Sequence, residues 1–431
     1  MPGLDTSKRP TRAGDAAVET RRLLTAVTEL TGVRLPVRLW DGTEAGDDDG
    51  FRVVLNHPWS ARTLLGPHVD VAAGEAYVWG EVDLEGDIVA ALDRLAAIGD
   101  SGLSARTWLS LVPLARRLPR PPRHPRDRRA HLRGRRHSPD RDRAAIAFHY
   151  DLSTAFYRAF LDEDLVYSCA YWTDDEDDTL AAAQARKLEL VCRKLRLRPG
   201  MRMLDVGCGW GSLVLHAAQH HGVQALGVTL SAAQAEVARE RVASAGLADR
   251  VEIRHVDYRD LGRTAEFDAI ASVGMVEHVG PDHLAAYFKS LRALLSAGGL
   301  LLNHGIVTGA HDDVREQTDK SFVGRYVFPD GGLVPAWRVV SELEAAGFGL
   351  LDVEQLRPHY TRTLRAWVRR LEANHDTAVA AAGETDYRIW RAYMAGSAVS
   401  FARGSLGVVQ VLGGKGLPAL PAGRAWMLPG A

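Results

Sequence analysis

The sequence is poor in cysteine, nearly free of net charge, and without any long apolar run. Three cysteines occur in 431 residues: Cys169, Cys192 and Cys208. None forms a C-x-x-C pair, so the spacing suggests neither a zinc site nor a disulfide framework, and no metal is expected. A sparse, odd set suits a reducing cytosol. The formal net charge is −1, so overall charge selects no partner. No stretch of about 18 apolar residues occurs, so no transmembrane helix is expected and any membrane contact would be peripheral. The N-terminal segment MPGLDTSKRPTRAGDAAVET has no apolar core and does not read as a signal peptide.

What is present is an ordinary globular composition, 46% hydrophobic and 25% charged, in a length that suggests two or three domains. Residues 1–17 are polar and expected to be disordered. Residues 18–115 read as a small α+β domain. Its first helix is expected over 18–31, where apolar side chains recur at helical spacing. LPVRLW, FRVVL and AYVWGEVDL follow as short strands, with a turn at Asp41-Gly42 and a helix over 87–98. Residues 116–143 hold twelve arginines, five prolines and three acidic residues. That stretch is a linker, too charged and proline-rich to pack. It is a solvated hinge or a contact for an anionic surface. Aromatic interleaving of the kind that binds single-stranded nucleic acid is absent, so lipid is favoured and nucleic acid is not expected as a partner.

From 144 to 412 strands and helices alternate. Strands are expected at 201–207, 223–230, 251–257, 267–274 and 299–306, with helices at 231–245 and 282–295. Such spacing implies parallel βαβ units in a doubly wound sheet. Residues 413–431 read as a loose tail.

The strongest local motif is LDVGCGWGS, 204–212. A strand runs into Asp205, then Gly207, Gly209 and Gly211 precede a helix. Glycines are needed where backbone turns sharply and approaches a ligand. The pattern lacks the third glycine of a dinucleotide fingerprint, and the carboxylate of Asp205 suits a ligand with a cationic amino-acid head rather than a pyrophosphate. This motif resembles motif I of class I S-adenosylmethionine-dependent methyltransferases, whose sheet has seven strands. The resemblance makes Thr229, Ser231 and Gln234 the ribose-side candidates after the second strand. It puts Asp257 and Tyr258 against the adenine.

Eight segments in order resemble the cyclopropane fatty acid synthase family: FHYDLS (148–153), YSCAYW (167–172), LDVGCGWGS, GVTLSAAQ (227–234), VEHVG (276–280), LLNHGI (301–306), YVFPDGGL (326–333) and RPHYTRTLRAW (357–367). The small N-terminal domain resembles the one in longer bacterial members. The resemblance implies a one-carbon addition to an unsaturated acyl chain of phospholipid, with S-adenosylmethionine as methyl donor. An alkene attacks the sulfonium methyl, a cation forms on the former double bond, and loss of a proton closes the ring. Such a site must exclude water, shelter a cation and supply a base. Tyr167, Tyr171 and Trp172 are candidate aromatic faces for the cation. The resemblance implies bicarbonate as the base, held by the backbone of Cys169 and by Glu277, His304 and Tyr360. It adds Tyr167 and Ser168 to the cofactor residues. Glu277 is expected to end the fourth strand and His304 the fifth, both at the carboxyl edge of the sheet, where ligands bind in open α/β folds.

Two positions depart from the family pattern. A His-Thr-Ile segment reads His304-Gly305-Ile306 here, and Ser397 stands where some members carry a second cysteine. Relatives make methylene or methyl-branched chains on the same scaffold, and a small natural product is an alternative substrate. The resemblance allows a homodimer. The expected place of work is the cytoplasmic face of a membrane, peripherally bound.

Overall fold

The computed structural model describes residues 13–428, except 48, 65–68, 103–104, 123–127, 129, 131, 151, 263–265, 310–314, 317, 319 and 417. Residues 1–12 of the segment expected to be disordered lie outside the described residues, as does part of the arginine-rich linker. The chain divides into two compact units.

The first unit takes the described residues up to Arg128, with Lys320–Phe322 and Glu384–Val399. Its sheet orders Glu44–Ala45, Val37–Leu39, Phe51–Leu55 and Val82–Gly86. The helix Ala13–Thr31 starts before the expected residue 18 and buries Ala16 and Ala17, so 13–17 are helical rather than loose. The segment AYVWGEVDL is not one strand. Ala76–Val78 complete the helix Val69–Val78, Gly80 turns the chain at φ 73°, and the strand begins at Val82. Helix end and strand start share one apolar run there, which reads as a single strand by composition. Asp87 caps the helix Ile88–Gly99 by accepting from Val89 N and Ala90 N at 2.8 and 3.1 Å. The unit is not contiguous in sequence: Arg391 donates to the Tyr77 hydroxyl at 2.7 Å and Arg388 to the Tyr77 carbonyl at 2.8 Å.

The second unit is built on seven strands: β1 Arg202–Val206, β2 Gln224–Thr229, β3 Val251–His255, β4 Phe267–Val273, β5 Leu295–Thr308, β6 Gly349–Gln355 and β7 Leu406–Gly414. Their order is β6-β7-β5-β4-β1-β2-β3. All pairs are parallel except those of β7, which runs antiparallel to β5 and β6. The helices used below are α1 Leu180–Lys194, α2 Ser212–His221, α3 Ala232–Ser244, α4 Leu284–Leu294, α5 Ala336–Ala345 and α6 Arg357–Ala373. Successive strand residues point to opposite faces. Met203 accordingly joins one apolar cluster with Leu188, Val191 and Val214, and Leu204 joins the other with Phe288, Leu291 and Leu343. Burial on both faces is why β1, β2, β4 and β7 read as continuous apolar runs, while the edge strands β3 and β6 alternate.

The tail is not loose among the described residues. β7 reaches Gly414, and a 3-10 turn at Ala425–Met427 buries Met427 in the cluster with Leu188. Arg424 reaches Asp352 at 3.0 Å. The tail's glycines and prolines mask two apolar residues, Trp426 and Met427, that have a core to enter. Within the linker, the helix Pro139–Tyr150 begins early, and Arg141 Nη2 holds Asp330 at 3.0 Å.

Candidate active site

The glycine-rich loop between β1 and α2 forms one wall of a cavity that opens partly to solvent. Gly207 and Cys208 both donate to the Val228 carbonyl at 2.9 Å, which ties the loop to β2. Gly207 sits at φ 83°, and a Cβ there would lie 2.6 Å from the Met275 side chain, so only glycine fits. Of the expected cofactor residues, Tyr167, Ser168, Asp205, Gly207, Gly209, Thr229, Gln234 and Tyr258 line the cavity.

Asp205 is 2% exposed, and its Oδ1 has no hydrogen-bond partner. Burial pushes its carboxyl up to about 7, against the pull of the Lys187 ammonium. A buried acceptor without a partner costs free energy unless a ligand supplies the donor. The residues present therefore fit a ligand carrying a cationic amine. Tyr258 is pushed up to about 12 by burial and meets Tyr287 edge to face at 5.6 Å, an apolar wall suited to a flat ring.

Three expected cofactor residues stand outside the cavity wall. Gly211 opens α2 in the left-handed region, and a Cβ there would lie 3.3 Å from the Ala238 side chain, so it serves helix packing. Ser231 caps α3 by accepting from Gln234 N at 3.3 Å. That cap places Gln234, whose Oε1 accepts from the Thr229 hydroxyl at 2.9 Å. Asp257 is already satisfied, taking Arg259 N and Nε at 2.9 Å on Oδ1 and Arg259 Nη2 at 2.5 Å on Oδ2.

The four expected catalytic positions lie beyond the cavity lining, in two pairs. Glu277 does not end β4. It stands on the short turn Val276–Val279 that follows, between the cavity-lining residues Met275 and His278. Its Oε1 accepts from Ile306 N at 2.7 Å, while Oε2 is buried without a partner. Burial pushes its carboxyl up to about 7, against the Ile306 bond. His304 lies inside β5, which runs on to Thr308, rather than at the strand's end. Its Nδ1 meets the Gln410 amide at 3.2 Å, and burial drives its pKa down to about 3, so the ring is neutral. Gly305 is explained here. A Cβ would sit 2.2 Å from Val276 Cγ1, so glycine lets the turn carrying Glu277 lie on β5.

The second pair is Cys169 and Tyr360. The segment 169–172 runs along α6: Ala170 N donates to Thr363 Oγ1 at 3.1 Å and Trp172 N to His359 Nδ1 at 3.0 Å. The Tyr360 ring meets Trp367 at 5.9 Å, and Trp367 meets Tyr167 at 5.3 Å, so an aromatic row leads from the cavity to Tyr360. Cys169 is fully buried, and its thiol is driven well above the ordinary range by desolvation, which suits packing and not nucleophilic attack. Tyr171 and Trp172 do not line the cavity. Tyr171 stacks on His359 at 4.6 Å, and Trp172 donates to Thr363 and lies under Arg362.

Lys187 and Gln184 were not expected at the site. Gln184 Nε2 donates to the Ser168 carbonyl at 2.8 Å, and Lys187 Nζ to the Ser168 hydroxyl at 2.9 Å. Both are buried on α1, three residues apart, and Lys187 lines the cavity. Burial lowers the Lys187 ammonium to about 8, and Asp162, Cys169 and Asp205 pull it back up. A signal existed: two polar residues interrupt the apolar face of an amphipathic helix.

The family model described as mycolic acid cyclopropane synthetase matches residues 137–411. A probable fatty acid methyltransferase of Pseudomonas putida is 38% identical over 389 residues, 89% of this chain and 93% of the relative. The cyclopropane-fatty-acyl-phospholipid synthase of Escherichia coli is 36% identical over 272 residues, 62% of this chain and 67% of the relative. Among solved structures, mycolic acid cyclopropane synthase CmaA1 complexed with SAH and CTAB is similar, with a TM-score of 0.59 and 34% identity over 63% of this chain and 98% of that one. The seven-stranded sheet, the glycine loop and these matches together make the chain an S-adenosylmethionine-dependent methyltransferase that belongs to the mycolic acid cyclopropane synthetase family.

Proposed function

We propose that the protein converts the double bond of an unsaturated phospholipid acyl chain into a cyclopropane. The observation that carries this reading is Glu277: a fully buried carboxyl with one oxygen bonded to β5 and the other without a partner, two strand residues from neutral His304. A methyl transfer to an ordinary polar nucleophile needs no such group. S-adenosylmethionine would supply an electrophilic methyl group, and bicarbonate the base that takes a proton. Asp205 and Gln234 would hold the cofactor's polar ends, with Tyr258 against its ring. Glu277, raised to about 7, keeps a proton near neutral pH with which to bind an anion. His304, Tyr360 and the backbone at Cys169 would be the other groups to hold that anion. Tyr167 offers a π face beside the cavity for the developing cation.

The acyl chain would come from a bilayer, and the arginines of 116–143 would meet its anionic headgroups. Among the described ones, Arg136 and Arg141 already hold the 330–331 turn, so the contact falls to others such as Arg133 and Arg135. No described helix is long and apolar enough to cross a membrane. Co-sedimentation with anionic vesicles that weakens with salt supports docking, and equal pelleting with neutral vesicles removes it.

A second reading, methyl-branched or methylene products, is left open by the Pseudomonas putida relative, which aligns over 89% of the chain and is named a probable fatty acid methyltransferase, without a ring in its name. Lipid mass spectrometry separates the two. The chain would be expressed in a host rich in monounsaturated phospholipid. A gain of one CH₂ per unsaturated chain, resistant to mild hydrogenation, establishes the ring. A reducible or branched product moves the assignment to the second reading. Unchanged acyl chains, from folded protein that binds S-adenosylmethionine, overturn both.

A further inference from the structure

A second group of ligand-type side chains lies on α1 and α2, away from the cavity. Glu189 and Cys192 stand three residues apart on α1, and His216 and His221 five apart on α2. The two helices pack against each other. The Nε2 atoms of His216 and His221 lie 3.3 and 2.9 Å from the same Glu189 oxygen, Oε2. One ligand atom from each of Cys192, His216 and His221 falls within 4.8 Å of the others.

A tetrahedral ion with metal–nitrogen and metal–oxygen bonds of about 2.0–2.2 Å has ligand–ligand edges of roughly 3.3–3.6 Å. The carboxylate oxygen stands 3.3 and 2.9 Å from the two imidazole nitrogens, so a small adjustment reaches that spacing. A sulfur ligand takes a longer edge, and the Cys192 sulfur lies within 4.8 Å of a nitrogen of each imidazole. The other Glu189 oxygen accepts Arg193 Nε at 2.8 Å, which turns Oε2 toward the histidines. Cys192 is fully buried and the two histidines are partly exposed, so the group is closed on the core side and open to an ion from solvent. Absence of a C-x-x-C pair argues against a two-thiolate zinc site. It says nothing about one thiolate joined by two imidazoles and a carboxylate.

We propose that Cys192, His216 and His221 bind one divalent transition-metal ion of the zinc type, with the Glu189 carboxylate moving in beside the imidazoles as the fourth ligand, and that this ion pins α1 to α2. The donor set of one sulfur, two nitrogens and one oxygen favours zinc or cobalt over magnesium or calcium. Binding forms a metal–sulfur bond and releases the Cys192 thiol proton to solvent. The imidazoles enter neutral, each with its ring proton on Nδ1. α1 also carries Gln184 and Lys187, and α2 begins at the glycine loop, so the clamp holds two walls of the cofactor cavity.

The test uses the full chain, stripped with a chelator and titrated with Co²⁺. One ion per chain is expected, with intense tetrahedral d–d bands and a thiolate charge-transfer band in the near ultraviolet. Zn²⁺ should displace the cobalt and raise Tm. Cys192→Ser should abolish the charge-transfer band, and His221→Asn should abolish saturable uptake. Arg193→Ala should weaken binding by about 10-fold. His375→Asn, a change at an exposed histidine elsewhere, should leave binding at the parent value. If Cys192→Ser fails to fold, the partly exposed His221→Asn decides. Failure of the parent chain to take up Co²⁺ saturably, or uptake unaltered in His221→Asn, overturns the site and leaves only imidazole–carboxylate hydrogen bonds.

Discussion

The centre and the edge of the catalytic sheet treat the same chemical group in opposite ways. At the centre, Asp205 stands one residue before the end of β1 and the turn after β4 carries Glu277. Both carboxyls are buried, both are pushed up to about 7, and each keeps one oxygen without a partner. At the edge, Asp257 follows β3 and is also buried, but Arg259 takes both its oxygens. Central strands are flanked on both sides and shut water away, so an acid there keeps an oxygen that only a ligand can reach. The edge strand leaves room for a long side chain from the next turn to fold back. An acidic residue after a strand therefore marks a candidate, and its place in the sheet decides whether it is available.

The comparison predicts graded outcomes. Glu277→Gln should lower turnover by about 10²–10⁴-fold while S-adenosylmethionine affinity, measured by calorimetry, stays at the parent value. Lost cofactor binding would place Glu277 with Asp205 and merge two sites held here to be separate. Asp205→Asn should raise the Kd for S-adenosylmethionine by about 100-fold or more, as expected when one member of a buried charge pair is removed.

The same variant should be more stable than the parent without ligand. An acid whose folded pKa lies above its unfolded value holds a proton that the unfolded chain has lost, so it costs stability as pH rises between the two. For Asp205 that window runs from 3.8 to about 7. The gain from Asn should be close to nothing near the bottom of the window and on the order of 4 kcal/mol above it. Urea titrations at several pH values check this, and a gain that shrinks with rising pH would reverse the sign assigned to Asp205. Asp257→Asn should show the inverse pattern: a loss of about 1–2 kcal/mol in stability and a Kd within about tenfold of the parent. Equal profiles for Asp205→Asn and Asp257→Asn would break the comparison. The smallest effect is expected at Tyr171→Phe, whose ring stacks on His359 outside the cavity. Activity should stay within about twofold, and a larger fall would return Tyr171 to the site.

Much of the catalytic unit was legible in sequence because its cues are local. Strand apolarity, the glycine loop and the helix between β2 and β3 each depend on residues close in the chain. The tail, the shared run at 76–84 and the split first unit were not legible. Each depends on a partner distant in sequence: Met427 on Leu188, Arg391 on Tyr77. Gly305 looked like a departure from the family pattern. It became intelligible only with Val276 lying 2.2 Å from where its Cβ would be.

By itself, then, the sequence determined the class of chemistry, because a strand–glycine loop–helix unit and the ordered segments around it are written in neighbouring residues. The tertiary structure decided which side chains are available to a ligand. It left one oxygen each of Asp205 and Glu277 without a partner, satisfied Asp257, turned Tyr171 away, and brought Lys187 to the cavity. Availability is set by burial and by competing partners, and those exist only once segments far apart in the chain have packed together.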